Sequence, residues 1–503
     1  MLKKSNALLA VFVAAWLFSM RMAYIFINSM AFNGLAEIVL ALMIINAIIA
    51  LLIVLYNKSG KLLKISLTFT IISLIIDIII LSIALSDWQY FATRFIEIVP
   101  YLAIGIAFVY LIFIFPKTGY YKEKFIGIIL TAAMILMMVS TVYTFTPFSF
   151  RSRPVVFEAG EQYAIVWTTT AKATAYLKYI DKDTNLEVTI YEEESGNIIA
   201  DKTIHRIYVD KDQLDNNTYE VFSQKTIMHL PNNAVMGKII ESGDINFIGY
   251  HNQEDISLLT IADVHDFTKP ALEAASYIDN YDVLVLLGDL TSEIADEDQL
   301  INGTLKLAAD ISGGAKPVLY LRGNHETRGA YCNFLKDYIG LPDNDYNYTY
   351  RYGSLAAVIL DTGEDKDDDH IEYSGLARYS EYRQEQTKWL EGVEASGFFN
   401  APDIEYKAVI GHIPLDPEEN GDYWNEWLPI LNRLVSVQLA GHMHSSEIFP
   451  LNAEHEFPII IGGGRKGSLG QYFTASNIVF SNGKIYDTSY NQDGEVVFDG
   501  MVG

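Results

Sequence analysis

At 503 residues, half of them apolar, the chain is longer than one hydrophobic core usually organises, so more than one domain is expected. Its formal net charge of -26 repels nucleic acid polyanions, so no nucleic acid partner is expected. A single cysteine, Cys332, excludes an intrachain disulfide framework.

In chain order, apolar stretches of membrane-spanning length recur at about residues 7–28, 35–56, 65–86, 98–115 and 125–147, which predicts a transmembrane bundle of five helices over residues 1–150 and a lipid bilayer as partner. A cleaved signal peptide would account for the first stretch alone. Lys3 and Lys4, then Lys58, Lys61 and Lys64, then Lys117, Lys122 and Lys124 mark one side of the bundle, while the alternate loops are nearly bare. The positive-inside rule therefore predicts an integral cell membrane protein with a cytoplasmic N-terminus and the remainder extracytoplasmic, although Arg151 and Arg153 count against it. Arg21 and Asp77 fall at similar depth and are expected to pair, as a structural salt bridge or, alternatively, as a ligand or proton site. Residues 1–150 take 10 of the 36 basic and 5 of the 62 acidic residues, leaving 26 basic against 57 acidic in the rest.

Residues 151–247 alternate apolar and polar in short runs such as Tyr163–Thr169 and Ala175–Tyr179, punctuated by Gly, Asn and Asp, and read as a small all-β sandwich. From residue 248 to 503 the pattern changes to short continuous apolar runs, the mark of strands buried on both faces. Ile256–Ile261 is followed by Asp263 and His265, Asp282–Leu287 by Asp289, and Pro317–Leu321 by Arg322, Asn324, His325 and Glu326. Tyr406–Ile410 leads to His412, Ser436–Ala440 to His442 and His444, and Phe457–Ile461 to Gly462–Arg465. In α/β sheets, sites gather beyond the carboxyl ends of strands.

Imidazoles, carboxylates and one amide oxygen suit Mn, Fe or Zn, and the lack of thiolate ligands argues against a structural zinc site. Two such ions about 3.5–4 Å apart would supply both a nucleophile at neutral pH and positive charge for an anionic transition state, which is what hydrolysis of a phosphate ester requires.

The order and wording of these motifs, over roughly residues 255–490, resemble the calcineurin-like metallophosphoesterase family. The resemblance implies an α/β domain with two central β-sheets flanked by helices. It also implies a dinuclear metal centre in which Asp263, His265 and His444 hold one metal, Asn324, His412 and His442 hold the other, and Asp289 bridges both. It further implies attack by a metal-bridging hydroxide, with His325 protonating the leaving group or steadying the transition state and Arg322 clamping phosphate oxygens. The segment before it, with Trp167-Thr168-Thr169, His205 and Leu214–Val221, resembles the fibronectin-type domain that precedes the catalytic domain of purple acid phosphatases. One departure stands out: those enzymes place a metal-binding Tyr three residues after the bridging Asp, where this chain has Ser292, so no ferric-tyrosinate centre is expected.

Three further features receive structural readings. Arg465 and the glycines before it read as a turn with positive φ, or alternatively as a loop presenting donors to phosphate. Tyr423–Trp427 reads as aromatics that dock a loop, or as a pocket wall. The acidic run Glu364–Asp369, ending at His370, reads as a solvated loop without a catalytic role. Together these observations predict a membrane-anchored phosphoesterase acting on a phosphate monoester or diester: a phosphorylated small molecule, a lipid headgroup or a cell-envelope phosphoester. The alternative is a receptor or binding module that retains the fold without the reaction.

Overall fold

The computed structural model of the chain describes residues 148–229, 234–251, 255–466 and 472–502. Two compact units are distinguished among the described residues: Ser149–Thr170, Ala175–Phe222 and Glu241–Gly503 form one, and Ala171–Thr174 and Ser223–Ile240 belong to the other.

Strands run in chain order as β1 Phe150–Ala159, β2 Gln162–Ile180, β3 Glu187–Tyr191, β4 Lys202–Asp210, β5 Thr218–His229, β6 Ala234–Glu241, β7 Ile245–Asn246, β8 Ile256–Ile261, β9 Val283–Leu286 and β10 Pro317–Tyr320. They continue with β11 Tyr348–Tyr352, β12 Leu355–Ile359, β13 Tyr406–Ile410, β14 Val437–Ala440, β15 Ser445–Phe449, β16 Ile459–Lys466, β17 Tyr472–Ser481, β18 Lys484–Asn491 and β19 Val496–Val502.

One layer is ordered β10-β9-β8-β17-β18-β19, with β8, β9 and β10 parallel. The other is ordered β11-β12-β13-β14-β16-β15, with β12, β13, β14 and β16 parallel. Antiparallel pairing of Gly463–Lys466 with Tyr472–Ala475 ties the layers together.

The two-residue period of a strand explains why these layers stack. In β12, Leu355, Ala357 and Ile359 enter the core shared with the first layer, whereas Ala356 and Val358, with Leu360 just beyond, pack on the other side. That other side is covered by helices Tyr379–Ser396 and Leu428–Leu434, through Leu390, Val393, Ile430 and Leu431. Trp424 and Trp427 are buried in the same core, and Trp427 Nε1 donates to Arg383 O at 3.3 Å, so these aromatics dock a loop.

The β-rich segment before β8 is joined to the first layer. β1 pairs in parallel with β10, Val156 facing Pro317 and Phe157 facing Val318. Val155, Phe157, Ala164 and Val166 enter the larger core, while Val156, Ile165, Trp167, Leu177, Tyr219 and Phe247 build a third one on the opposite face. These pairings do not show a separate fibronectin-type domain.

The expectation of a five-helix transmembrane bundle is corrected. Among the described residues no helix is long and apolar enough to cross a membrane. Tyr379–Ser396, at 18 residues, carries Glu381, Arg383, Glu385, Lys388, Glu391 and Glu394, which suits a surface helix and not a lipid-facing one. The bundle and the integral-membrane localisation built on it are therefore not supported. The five apolar stretches, with Arg21 and Asp77, lie outside the described residues.

One buried charge sits far from the candidate motifs. Asp487, on β18 between Ile478 of β17 and Gly500 of β19, is fully buried, and the Ser476 and Ser489 hydroxyls beside it offset only part of that burial. The Ser476 and Ser489 hydroxyls nearby bond each other at 2.6 Å. Burial pushes its carboxyl up from 3.8 to about 7. Because the folded-state value lies above the unfolded one, the folded chain binds the extra proton between those limits. This contribution is therefore fully present below about pH 4 and is lost as pH rises to about 7, at roughly 1.4 kcal/mol per unit. Asp487→Asn is expected to remove that slope and raise the melting temperature at pH 8. An unchanged pH dependence of thermal unfolding would show that the carboxylate finds relief elsewhere.

Candidate metal centre

The site lies where β8, β9, β10, β13 and β14 all end. Five of its residues turn the backbone into the left-handed region: Asp263 at φ 52°, His265 at 46°, Asp289 at 53°, His442 at 68° and His444 at 54°. Such backbone costs energy for non-glycine residues and is kept where function requires the side chain to be aimed. Gly288, at φ 92°, brings the loop after β9 against the loop after β10, and a Cβ there would lie 2.5 Å from Gly323 N.

The sequence-predicted residues come together in overlapping groups. The ligand atoms of Asp263, His265 and His444 lie within 4.8 Å of one another, as do those of Asp289, His412 and His442, and those of His265, Asp289 and His325. Asp289 is the junction. Its Oδ2 lies 3.2 Å from His412 Nε2, 3.7 Å from His265 Nε2 and 3.9 Å from His325 Nε2, while its Oδ1 accepts from His325 N at 2.8 Å. Asn324 turns one end of its carboxamide to His412 Nε2 at 3.2 Å and to the Asp289 oxygens at 3.1 and 3.3 Å, and the other end to Arg328 Nη2 at 3.1 Å.

Rings are fixed from behind. His412 Nδ1 donates to Leu287 O, His444 Nδ1 to Arg465 O and His325 Nδ1 to Ser292 O, each at 2.7 Å, which turns Nε2 of each ring inward. Arg465 thus contributes through its carbonyl. Gly463 and Gly464 do take positive φ, but within β16, where Gly464 passes against Asp263 and His444.

The donor set fits cations. Both oxygens of fully buried Asp263, and Nε2 of His265, have no hydrogen-bond partner. Burial, with the Asp289 charge added, pushes the Asp263 carboxyl well above its usual range, while burial drives His265 down to about 3 and keeps it a neutral donor. Burial alone would raise Asp289, but the His412 imidazole holds it low. Burial likewise opposes charge on His412, yet Asp289 lifts it to about 10. His412 therefore carries the proton that metal uptake would release. A buried carboxylate without a partner is expensive, and divalent charge relieves it.

Glu326 supports this arrangement from below. Fully buried, it accepts from Asp289 N at 2.8 Å, Leu290 N at 2.6 Å, Thr291 N at 3.3 Å and Gly323 N at 2.9 Å, so one carboxylate ties both loops. Burial and the Asp289 charge push it up to about 7, against the pull of His412 and these donors.

Arg322 is committed elsewhere. Its Nη2 meets Asp361 Oδ2 at 2.5 Å and its guanidinium lies 4.2 Å from the Tyr346 ring centroid. Arg328, which the sequence reading passed over, places Nη1 3.4 Å from His325 Nε2. Both arginines, with Lys336, Tyr346, Tyr373 and Tyr382, line a cavity of about 700 Å³.

The acidic run is solvated only in part: Asp367 and Asp369 are exposed, but its first two residues are not free in solvent. Glu364 is fully buried and accepts from Arg328 Nε at 2.7 Å and Nη2 at 2.9 Å, and Asp365 Oδ2 lies 3.5 Å from His442 Nε2. Local charge density suggested solvent; pairing with residues distant in sequence decides otherwise for Glu364 and Asp365.

A model of the calcineurin-like phosphoesterase family matches residues 256–446, the span that holds every ligand candidate from Asp263 to His444. No curated protein matches the chain in sequence. Among solved structures, it is similar to a purple acid phosphatase isolated from yellow lupin (Lupinus luteus) seeds, at 12% identity over 70% of this chain and 74% of that one, with a TM-score of 0.47. It is also similar to a dimetal phosphatase from Danio rerio, at 14% identity over 49% of this chain and 98% of that one, with a TM-score of 0.36. The match over residues 256–446, with the buried His and Asp groups it spans, supports a metal-dependent phosphoesterase that uses two metal ions.

Proposed function

We propose that the chain hydrolyses phosphate monoesters or diesters at a centre in which Asp263, His265 and His444 hold one divalent metal, Asn324, His412 and His442 the other, and Asp289 serves both. The observation that carries this reading is the position of Asp289 between two buried donor groups, one of which contains a carboxylate with no partner of its own. When bound, the metals supply positive charge to the phosphate oxygens and make water nucleophilic at neutral pH.

The protein's own residues do the rest. Leu287 O, Arg465 O and Ser292 O fix three rings so that none reorients during the reaction. His325, its side chain about a quarter exposed, stands at the mouth of the site, where its Nε2 can pass a proton to the departing alcohol. Arg328 is the cation beside it and is placed to meet a phosphate oxygen, although Glu364 already neutralises part of its charge. Arg322 acts through Asp361 by holding the wall formed by Tyr346 and Tyr382. The cavity lined by both arginines adjoins the site through Arg328, whose Nη1 lies 3.4 Å from His325 Nε2. The substrate class is a phosphorylated small molecule.

The test is hydrolysis of p-nitrophenyl phosphate and bis-p-nitrophenyl phosphate by the full chain, stripped of metal and reloaded with Mn, Fe or Zn. Turnover restored by metal is expected, and the ratio of the two rates gives the monoester or diester preference. No turnover with two metals demonstrably bound would overturn the proposal.

A further inference from the structure

An imidazole can offer one nitrogen to a metal, and the other then carries a hydrogen that needs an acceptor. Around this site the acceptor is a backbone carbonyl for His412, His444 and His325, always at Nδ1, so Nε2 points inward. His442 is built the other way. Its Nε2 faces Asp365 Oδ2 at 3.5 Å, the outer limit of a hydrogen bond, and Asp365 Oδ1 is itself held by Lys366 Nζ at 3.1 Å. Asp365 belongs to a strap, residues 361–365, whose carboxylates each grip a different residue at the rim: Asp361 takes Arg322, Glu364 takes Arg328 and Asp365 takes His442.

We propose that Asp365 is the positioning carboxylate of His442. By taking the hydrogen on Nε2 it leaves Nδ1 as the nitrogen free to donate in the group His442 forms with Asp289 and His412, and it thereby sets the affinity of the second metal. The proposal rests on the ligand assignment above. A carboxylate also makes the ring a stronger donor than a carbonyl does, so the two metal positions differ in built-in strength.

Manganese titration of the metal-stripped full chain tests this, followed by calorimetry and by the electron paramagnetic resonance signal of a spin-coupled pair. The natural chain is expected to take up two equivalents. Asp365→Asn is expected to leave the first unchanged and weaken the second about 10- to 100-fold, so that the coupled signal appears only at higher manganese. Asp365→Glu, which keeps the charge and displaces it by one methylene, is expected to recover part of the loss, and it serves as the test should the Asn variant not fold. Asp367→Asn changes a neighbour in the same run whose Oδ1 lies 3.4 Å from Tyr423 Oη, and it should titrate like the natural chain. An unchanged second equivalent in both Asp365 variants, or equal weakening of both equivalents, overturns the proposal. Uptake of a single equivalent by the natural chain overturns instead the two-metal assignment beneath it.

Discussion

Asp289→Asn is expected to cut turnover about a thousandfold and to lower metal content at both positions at once. The substitution keeps the size and the left-handed backbone, which Asn tolerates well, so the fold should survive. What it removes is the carboxylate whose Oδ2 lies 3.2 Å from His412 Nε2 and 3.7 Å from His265 Nε2. An amide there has one oxygen to share between two cations, and its N–H2 end repels whichever cation it faces. If transition-state stabilisation falls by about 4 kcal/mol, as loss of metal-derived charge implies, kcat/KM drops about a thousandfold. Steady-state kinetics with metal analysis per chain decides the point. Two metals retained with turnover within tenfold of the natural chain would remove Asp289 from the centre. Loss of metal from the Asp263 group alone would make it a ligand of one ion only.

How far the site was legible depends on whether the information is local. Strands β8 and β13 coincide with the apolar runs Ile256–Ile261 and Tyr406–Ile410, because a strand buried on both faces is apolar at nearly every position, with half-buried Ser257 and Lys407 near the strand starts as exceptions. Each ligand candidate follows such a run within a few residues, so position along the chain already places it at a strand end. Glu326 could have been found in the same way: it is an acid three residues after Gly323, in a turn whose backbone N–H groups need an acceptor. Asp361, Glu364 and Asp365 could not, because each pairs with a residue at least 36 positions away and nothing in an acidic run announces its partner. The parallel pairing of β1 with β10 is equally silent, since it joins residues 156 and 317 without any local turn. The membrane expectation failed for a different reason. Apolar run length is a composition signal, and the described helices offer no span to support it.

Glu326→Gln carries the second large effect, through the scaffold and not through a ligand. The natural carboxylate gives Oε2 to Asp289 N and Gly323 N, and Oε1 to Leu290 N and Thr291 N, in a fully buried position. Gln supplies one oxygen and one N–H2 group, so whichever way it turns, two backbone donors face a donor. Buried donors without acceptors cost about 1–3 kcal/mol each, and disrupting a buried charged network costs about 3–5 kcal/mol, so unfolding by denaturant should show a loss of about 3 kcal/mol or more. Activity should fall as well, because the same carboxylate fixes the backbone of Asp289 and of the loop carrying Asn324, and a displacement of about 1 Å at a reacting centre costs about a hundredfold. Glu326→Asp separates the two contributions. Its charge is retained, but its arm is shorter by one methylene and reaches one loop better than the other, so stability should recover more than turnover does. If the Gln variant unfolds at the same denaturant concentration as the natural chain and turns over as fast, the loops hold their own geometry and Glu326 is dispensable.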